Sequence, residues 1–270
     1  MPTKQTHALL VNPNKVYLTE VAVYNRTIRA NLDRVWENVL DWEHLPWLHE
    51  SSFDYVELDE AGEWGWRTWS NAEHSRTIEL CVDRANSRYV ARTYDRAVQV
   101  SEIWTTLEDQ GQTTKIQVSF LLANVRDEGK EKIGKLMLDV YTQLWDEDET
   151  MMMQRQMRLD EPIISDSTLN LGPIHNLKLP MTVRFGNRNW RILDLDGELF
   201  VHAADCPHLR GPLEDALQKD SEIQCPWHGY RFKVDSGECV SPVSASCTLP
   251  TAPKIDHMGN GTVRLIKSGA

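Results

Sequence analysis

DCPHLRGPL, residues 205–213, poses the question that the rest of the chain has to answer. Cys206 and His208 stand one residue apart, and after sixteen more residues a second run, QCPWHGYRF (224–232), brings Cys225 and His228. Two thiolates and two imidazoles in two short hairpin-like loops have the composition of a metal site, and zinc is one reading of it. Zinc-finger spacing, however, usually pairs Cys with Cys and then His with His, whereas each loop here contributes one of each.

Around these loops, from residue 180 onward, MTVRFG, NWRILDL, ELFVHAA and GTVRLI are the short runs of a small all-β domain. The preceding EPIISDSTLNLGPIHNLKL (161–179) loses periodicity and collects Pro, Gly, Ser and Asn, so a linker is expected there. The Cys/His pattern resembles the Rieske 2Fe–2S family over roughly 180–268, with Gly229 after the second histidine and TLPTAPKI (248–255) similar to the family's closing strand. The resemblance implies one 2Fe–2S cluster, with Cys206 and Cys225 on one iron and His208 and His228 on the other. Gly211, Trp227 and Tyr230 occupy the loop positions where the cytochrome bc type places a disulfide and a serine. The pattern therefore looks like the lower-potential ferredoxin or ring-hydroxylating type. Leu209 departs from it by separating the first histidine from Arg210-Gly211, which bears on loop shape.

The first half reads differently. VAVYNRTIRA (21–30) predicts a strand, and NLDRVWENVL (31–40) a short helix capped by Asn31, with Leu32, Val35, Trp36, Val39 and Leu40 on one buried stripe. From 52 to 124, alternating runs broken by EAGEWG, DRANS and EDQGQ predict about six strands in a meander. A helical pattern over 127–160 ends before Pro162. This order suggests a curved sheet gripping a helix around a cavity, and it resembles the helix-grip fold of the START and polyketide-cyclase superfamily. The expected fold is thus an α+β helix-grip domain over 18–160, a linker over 161–179 and a small all-β Rieske domain over 180–268.

ENVLDWEHLPWLHE (37–50) carries two histidines that are either ordinary helix-end residues or ligands. On an unbroken helix His44 and His49 would point about 140° apart; Pro46 between them is expected to bend the chain at Leu45. Glu37, Asp41, His44 and His49 form E-x3-D-x2-H-x4-H, which looks like the mononuclear-iron motif of Rieske non-haem oxygenases. Metal-free helix-grip proteins carry a similar stretch up to Leu45, so His49 is the more informative residue. A third donor is available in WDEDETMMMQ (145–154). Asp148 falls on the apolar stripe of Ile133, Met137, Val140, Leu144 and Met151, Glu147 sits at its edge, and Asp146 points away. A buried carboxylate is costly unless paired or metal-bound, although an acidic helix end is also often simply solvated.

The oxygenase resemblance implies one mononuclear Fe(II) on His44, His49 and Asp148, with Glu147 as the substitute for Asp148. It makes Asp41 the residue that orients His44 and reaches toward a cluster histidine, here His228. It further implies O2 activation beside a small apolar or aromatic substrate, and electrons from a separate ferredoxin or NAD(P)H-dependent reductase. A homotrimer is among the assemblies it allows. The domain order is the reverse of the usual one. The alternative is a Rieske electron carrier fused to a metal-free ligand-binding helix-grip module.

A net charge of −11 without a basic cluster argues against a nucleic-acid partner. No apolar run approaches the ~18 residues of a membrane span, and MPTKQTHALLVNPNK lacks the apolar core of a signal peptide, so a cytoplasmic location is expected. No G-x-G-x-x-G unit offers a nucleotide site. Of the five cysteines, Cys81, Cys239 and Cys247 are expected to be buried, inert thiols. His7, His74, His175, His202 and His257 show no ligand spacing, and the methionines at 151–153 are expected to fill core.

Overall fold

The computed structural model describes residues 18–267 apart from 164, 196, 215, 217–221 and 244–245. The leader with His7, and residue 268 at the expected end of the second domain, lie outside the described residues. The chain divides into two compact units, Met1–Met153 and Gln154–Ala270.

The first unit is a helix-grip α+β domain. Strand β1 (Thr19–Ile28) leads into helix α1 (Leu32–Leu40), a 3-10 turn (Trp42–His44) and the single-turn helix α2 (Leu45–Leu48). Six strands follow as a meander: β2 (Glu57–Gly62), β3 (Gly65–Trp69), β4 (Arg76–Asp83), β5 (Arg88–Asp95), β6 (Val98–Asp109) and β7 (Thr114–Leu122). With β1 they make one antiparallel sheet in the order β1-β7-β6-β5-β4-β3-β2. The long helix α3 (Asp127–Asp160) begins in this unit. Asn31 caps α1 as its side chain predicts, its oxygen accepting from Arg34 N at 3.0 Å. Val35, Trp36 and Val39 are buried, and Leu32 and Leu40 pack against them half-buried.

The helix is held against β1 by two different means. At Gly134 the backbones meet: a Cβ there would lie 2.6 Å from the Val21 carbonyl oxygen. Fifteen residues on, the buried Glu149 carboxylate ion-pairs with Arg26 and accepts from Arg29 Nε at 2.7 Å and Arg29 N at 2.8 Å. Those partners hold its carboxyl below the ordinary range although burial alone would raise it. Met151 and Met152 are core residues, as expected, whereas Met153 is half-buried.

Among the described residues the second unit is all-β beyond the helix end, with three three-stranded sheets: β9 (Met181–Phe185), β10 (Arg188–Leu195) and β11 (Glu198–Ala203); β12 (Glu222–Gln224), β13 (Arg231–Lys233) and β14 (Cys239–Ser241); and β8 (Thr168–Pro173), β15 (Lys254–His257) and β16 (Thr262–Ile266). Strand β8 corrects the linker expected over 161–179. Its TLNLGP pairs antiparallel with β16, from Thr168↔Ile266 to Pro173↔Thr262. Only Leu169 and Leu171 supply apolar surface among exposed polar residues, so an edge strand reads as loop. Of TLPTAPKI, only Lys254 and Ile255 enter a strand. Cys81 is buried, but Cys239 and Cys247 are half-buried, against expectation. Among the described residues no helix is long and apolar enough to cross a membrane.

The close approach at Gly134 makes a prediction against helix propensity. Gly134→Ala should gain about 1 kcal/mol of propensity yet lose about 1–3 kcal/mol to overpacking against backbone that cannot rotate away. Its thermal midpoint should fall below wild type by a few degrees. Gly129→Ala, where the added Cβ meets only Ile133 Cδ1 at 3.8 Å, should not lower it.

Candidate metal centres

In the first unit the turn after α1 and the inner face of α3 meet at the wall of a cavity. The chain bends at Asp41 (φ −88°, ψ 84°), passes through the 3-10 turn that ends in His44, and leaves α2 at His49 (φ −111°, ψ 37°). This corrects the bend expected at Leu45, which is helical (φ −52°, ψ −50°). Pro46 sits in the first turn of α2, where its missing N–H costs no hydrogen bond. The histidines converge all the same, their ring centroids 5.1 Å apart.

Asp148 meets them from α3. One donor atom each from His44, His49 and Asp148 lies within 4.8 Å of the others, and all three residues are buried. Asp148 Oδ1 is 3.1 Å from His49 Nε2 and 3.6 Å from His44 Nε2, and it accepts from Asn38 Nδ2 at 2.9 Å. The second ring nitrogens carry carboxylates of their own. Glu147 Oε2 is 2.6 Å from His49 Nδ1, and Asp41 Oδ2 is 3.6 Å from His44 Nδ1. Glu147 thus lies on the far side of a histidine and not among the converging donors. Asp146 turns outward to Arg26 at 2.6 Å, as the helix phase requires. Glu37 pairs with Arg34.

Burial opposes charge on both partners of the central pair. The Asp148 and Glu147 hydrogen bonds and charges nevertheless raise the His49 pKa above that of free imidazole. The His49 hydrogen bond and charge, His44 and the Asn38 amide likewise hold Asp148 below an ordinary carboxyl. The corner therefore favours a positive charge. Two imidazoles and a carboxylate that leave further positions open suit a divalent first-row metal such as iron(II). Asn38 was not legible beforehand: a polar residue beside Val35 on a short surface helix reads as solvent-facing.

In the second unit the two Cys/His loops close in the same way. Cys206 N donates to Gly211 O at 2.8 Å and Cys206 O accepts from Arg210 N at 2.9 Å; Cys225 N donates to Tyr230 O at 2.9 Å and Cys225 O accepts from Gly229 N at 2.9 Å. Each loop turns through a left-handed residue, Arg210 (φ 62°) or Gly229 (φ 65°). Leu209 thus leaves the closure equal in length to that of the second loop. The left-handed Arg210, costly for a side-chain-bearing residue, is tied down. It reaches Asp205 Oδ2 at 2.9 Å and also bonds Arg158 O, while Arg158 Nη1 reaches Asp205 Oδ1 at 2.5 Å. Asp205, wholly buried, is thereby paired twice.

Cys206, Cys225 and His228 are buried, His208 half-buried, and the two imidazoles are 4.6 Å apart between centroids. The Cys206 thiol hydrogen-bonds the Cys225 thiolate and, despite burial, lowers its pKa, while the same bond raises that of Cys206. A Cβ at Gly211 would come within 2.7 Å of Cys225 Sγ and 3.0 Å of the Trp227 ring. The four donors and the space that this glycine keeps clear fit a 2Fe–2S cluster.

Residues 169–253 match the family described as the Rieske [2Fe-2S] domain. The second unit is a Rieske domain. No curated protein matches the chain. Among solved structures the chain is similar to the Zhui aromatase/cyclase from Streptomyces sp. R1128 at 14% identity, covering 52% of this chain and 96% of that one with a TM-score of 0.38. It is also similar to the Sphingomonas yanoikuyae B1 ferredoxin, at 25% identity over 38% of this chain and 99% of that one with a TM-score of 0.30. A START superfamily protein from Mycobacterium smegmatis is 13% identical over 49% of this chain and 97% of that one, with a TM-score of 0.36.

For the Rieske domain, Cys225→Ser and His228→Ala should each abolish the visible absorption and the low-temperature EPR signal of the reduced cluster. Gly211→Ala should lower cluster content while sparing all four side chains. An unchanged signal in Cys225→Ser or His228→Ala would remove these residues from the ligand set.

Proposed function

We propose that the chain is a Rieske-type oxygenase component. In this reading Cys206, His208, Cys225 and His228 hold the 2Fe–2S cluster, and His44, His49 and Asp148 hold a mononuclear Fe(II) beside a small apolar or aromatic substrate. The observation that carries it is the convergence of two imidazoles and one carboxylate, buried, at the wall of a cavity of about 280 Å³. When bound, the cluster would store one electron at a time and the Fe(II) would activate O2 for insertion into substrate.

The chain's own residues do the positioning. Glu147 accepts the Nδ1–H of His49, which aims Nε2 at the corner beside Asp148, where it donates to the carboxylate or, once deprotonated, would hold the metal. Asn38 fixes the Asp148 oxygen nearest both rings. Asp41 Oδ2 stands 3.6 Å from the outer nitrogen of His44, near it but beyond a direct hydrogen bond. Leu45, Phe53, Trp66 and Trp145 give the cavity beside the centre an apolar lining. Electrons come from a separate ferredoxin or reductase, because the sequence offers no nucleotide-binding motif of its own.

One observation favours the reading in which the module binds ligand without iron: Asp148, His49, Asn38 and Glu147 satisfy one another's hydrogen bonds directly. Iron content separates the two. The oxygenase requires about three irons per chain and the carrier about two. His49→Ala or Asp148→Ala should remove one iron and all oxygenation while leaving the cluster spectrum intact. Two irons in wild type, or three in either variant, would end the assignment.

Asp41 supplies a separate test. Asp41→Asn removes no ligand, so both metals should remain. Reoxidation of a pre-reduced cluster by substrate and O2, followed by stopped flow, should slow by about 10–100-fold, the usual cost of losing a carboxylate behind a ligating histidine. A wild-type rate would make Asp41 a structural residue only.

A further inference from the structure

Resting on the reading of this cavity as a substrate site, we infer that its ligand is a two-ring molecule bearing one oxygen acceptor, and that the Tyr141 hydroxyl donates to that oxygen. The size follows from packing. A cavity of about 280 Å³, filled at the density of protein interiors, encloses about 200 Å³ of ligand. That accommodates two rings with a small substituent, whereas a steroid-sized ligand would protrude from it. The walls are mainly hydrocarbon and aromatic, among them Phe53, Ile78, Leu80, Ile103 and Leu144.

The polar point is Tyr141. It lies two helical turns before Asp148 on the same face of α3, and both line the cavity. Its ring is fixed edge-on against Phe120, centroids 4.5 Å apart at 78°. Burial, reinforced by the charges of Tyr89 and Asp148, pushes its pKa up, so it is a neutral phenol with a proton to donate. Among the described residues nothing accepts that proton. Tyr89, on the opposite wall, differs: its hydroxyl is met by Thr105. A phenol donor facing an apolar cavity without an acceptor is costly to leave so. A carbonyl or hydroxyl oxygen on the ligand meets it and orients the rings relative to Asp148. Such a site rejects the hydrocarbon that lacks the oxygen, because the hydroxyl is then left unmet.

The matched pair 1-tetralone and tetralin tests this on the full chain, with binding read from the fluorescence of Trp66 and Trp145, which line the cavity. The ketone should bind at least roughly fivefold more tightly, the worth of one net hydrogen bond. Tyr141→Phe, which keeps the ring contact with Phe120, should bring the ratio close to one with tetralin affinity unchanged. Equal affinities in wild type, a preserved ratio in Tyr141→Phe, loss of tetralin binding in that variant, or no binding of either compound would each overturn the inference. The binding assay does not depend on iron. Two irons per chain with the expected ratio would sink the oxygenase and leave this inference standing, and three irons with no ratio would do the reverse.

Discussion

A carboxylate on the inner stripe of a long helix is the constraint from which the first unit is built. Asp148 lies where Met137, Val140, Leu144 and Met151 would otherwise make a continuous apolar face. Left alone there it would be protonated or would open the fold. His49 at 3.1 Å and the Asn38 amide at 2.9 Å prevent both, and each must come from a different turn of the chain. That demand explains the broken run between α1 and β2. A continuous helix from residue 32 to 49 would have sent one of the two histidines to the far side.

The second unit meets its own demand by repetition. Two loops each return the chain after five residues, and each places a cysteine thiol at its closed end. The second loop turns through glycine at no steric cost. The first turns through Arg210, and here the strain is offset by the side chain itself. Its guanidinium shares Asp205 with Arg158, so a buried carboxylate next to Cys206 is neutralised by two cations. Loop shape and electrostatics in the first loop therefore depend on the same three residues, whereas in the second the backbone alone suffices.

How much of this was legible depends on whether a periodicity carried the information. The phase of α3 put Asp148 inside, Asp146 outside and Glu147 at the edge, and all three stand so. The extent of α3 and the six-strand meander also follow from pattern and turn residues. What failed had no period to read. Strand β8 exposes most of its side chains and passes for a linker; Leu45 is helical because the first turn of α2 tolerates the following proline. Glu147, expected as a substitute ligand, lies instead behind His49. Consecutive helical residues are about 100° apart, so one can face the centre and the next the ring's outer nitrogen. No one-dimensional pattern distinguishes those roles.

The same geometry explains how such a corner can fold before any metal is present. The Asp148 and Glu147 contacts raise the His49 pKa and the His49 contact lowers that of Asp148, so each partner favours the charged form of the other. In the reading proposed above, a divalent cation that takes this place must displace the proton from His49, since a protonated imidazole has no lone pair to give. Proton and metal thus occupy the same negative potential, one at a time. In that reading the hydrogen bond from Asn38 to Asp148 is compatible with both because it uses neither imidazole. Glu147, held at the outer nitrogen, keeps the His49 ring oriented throughout.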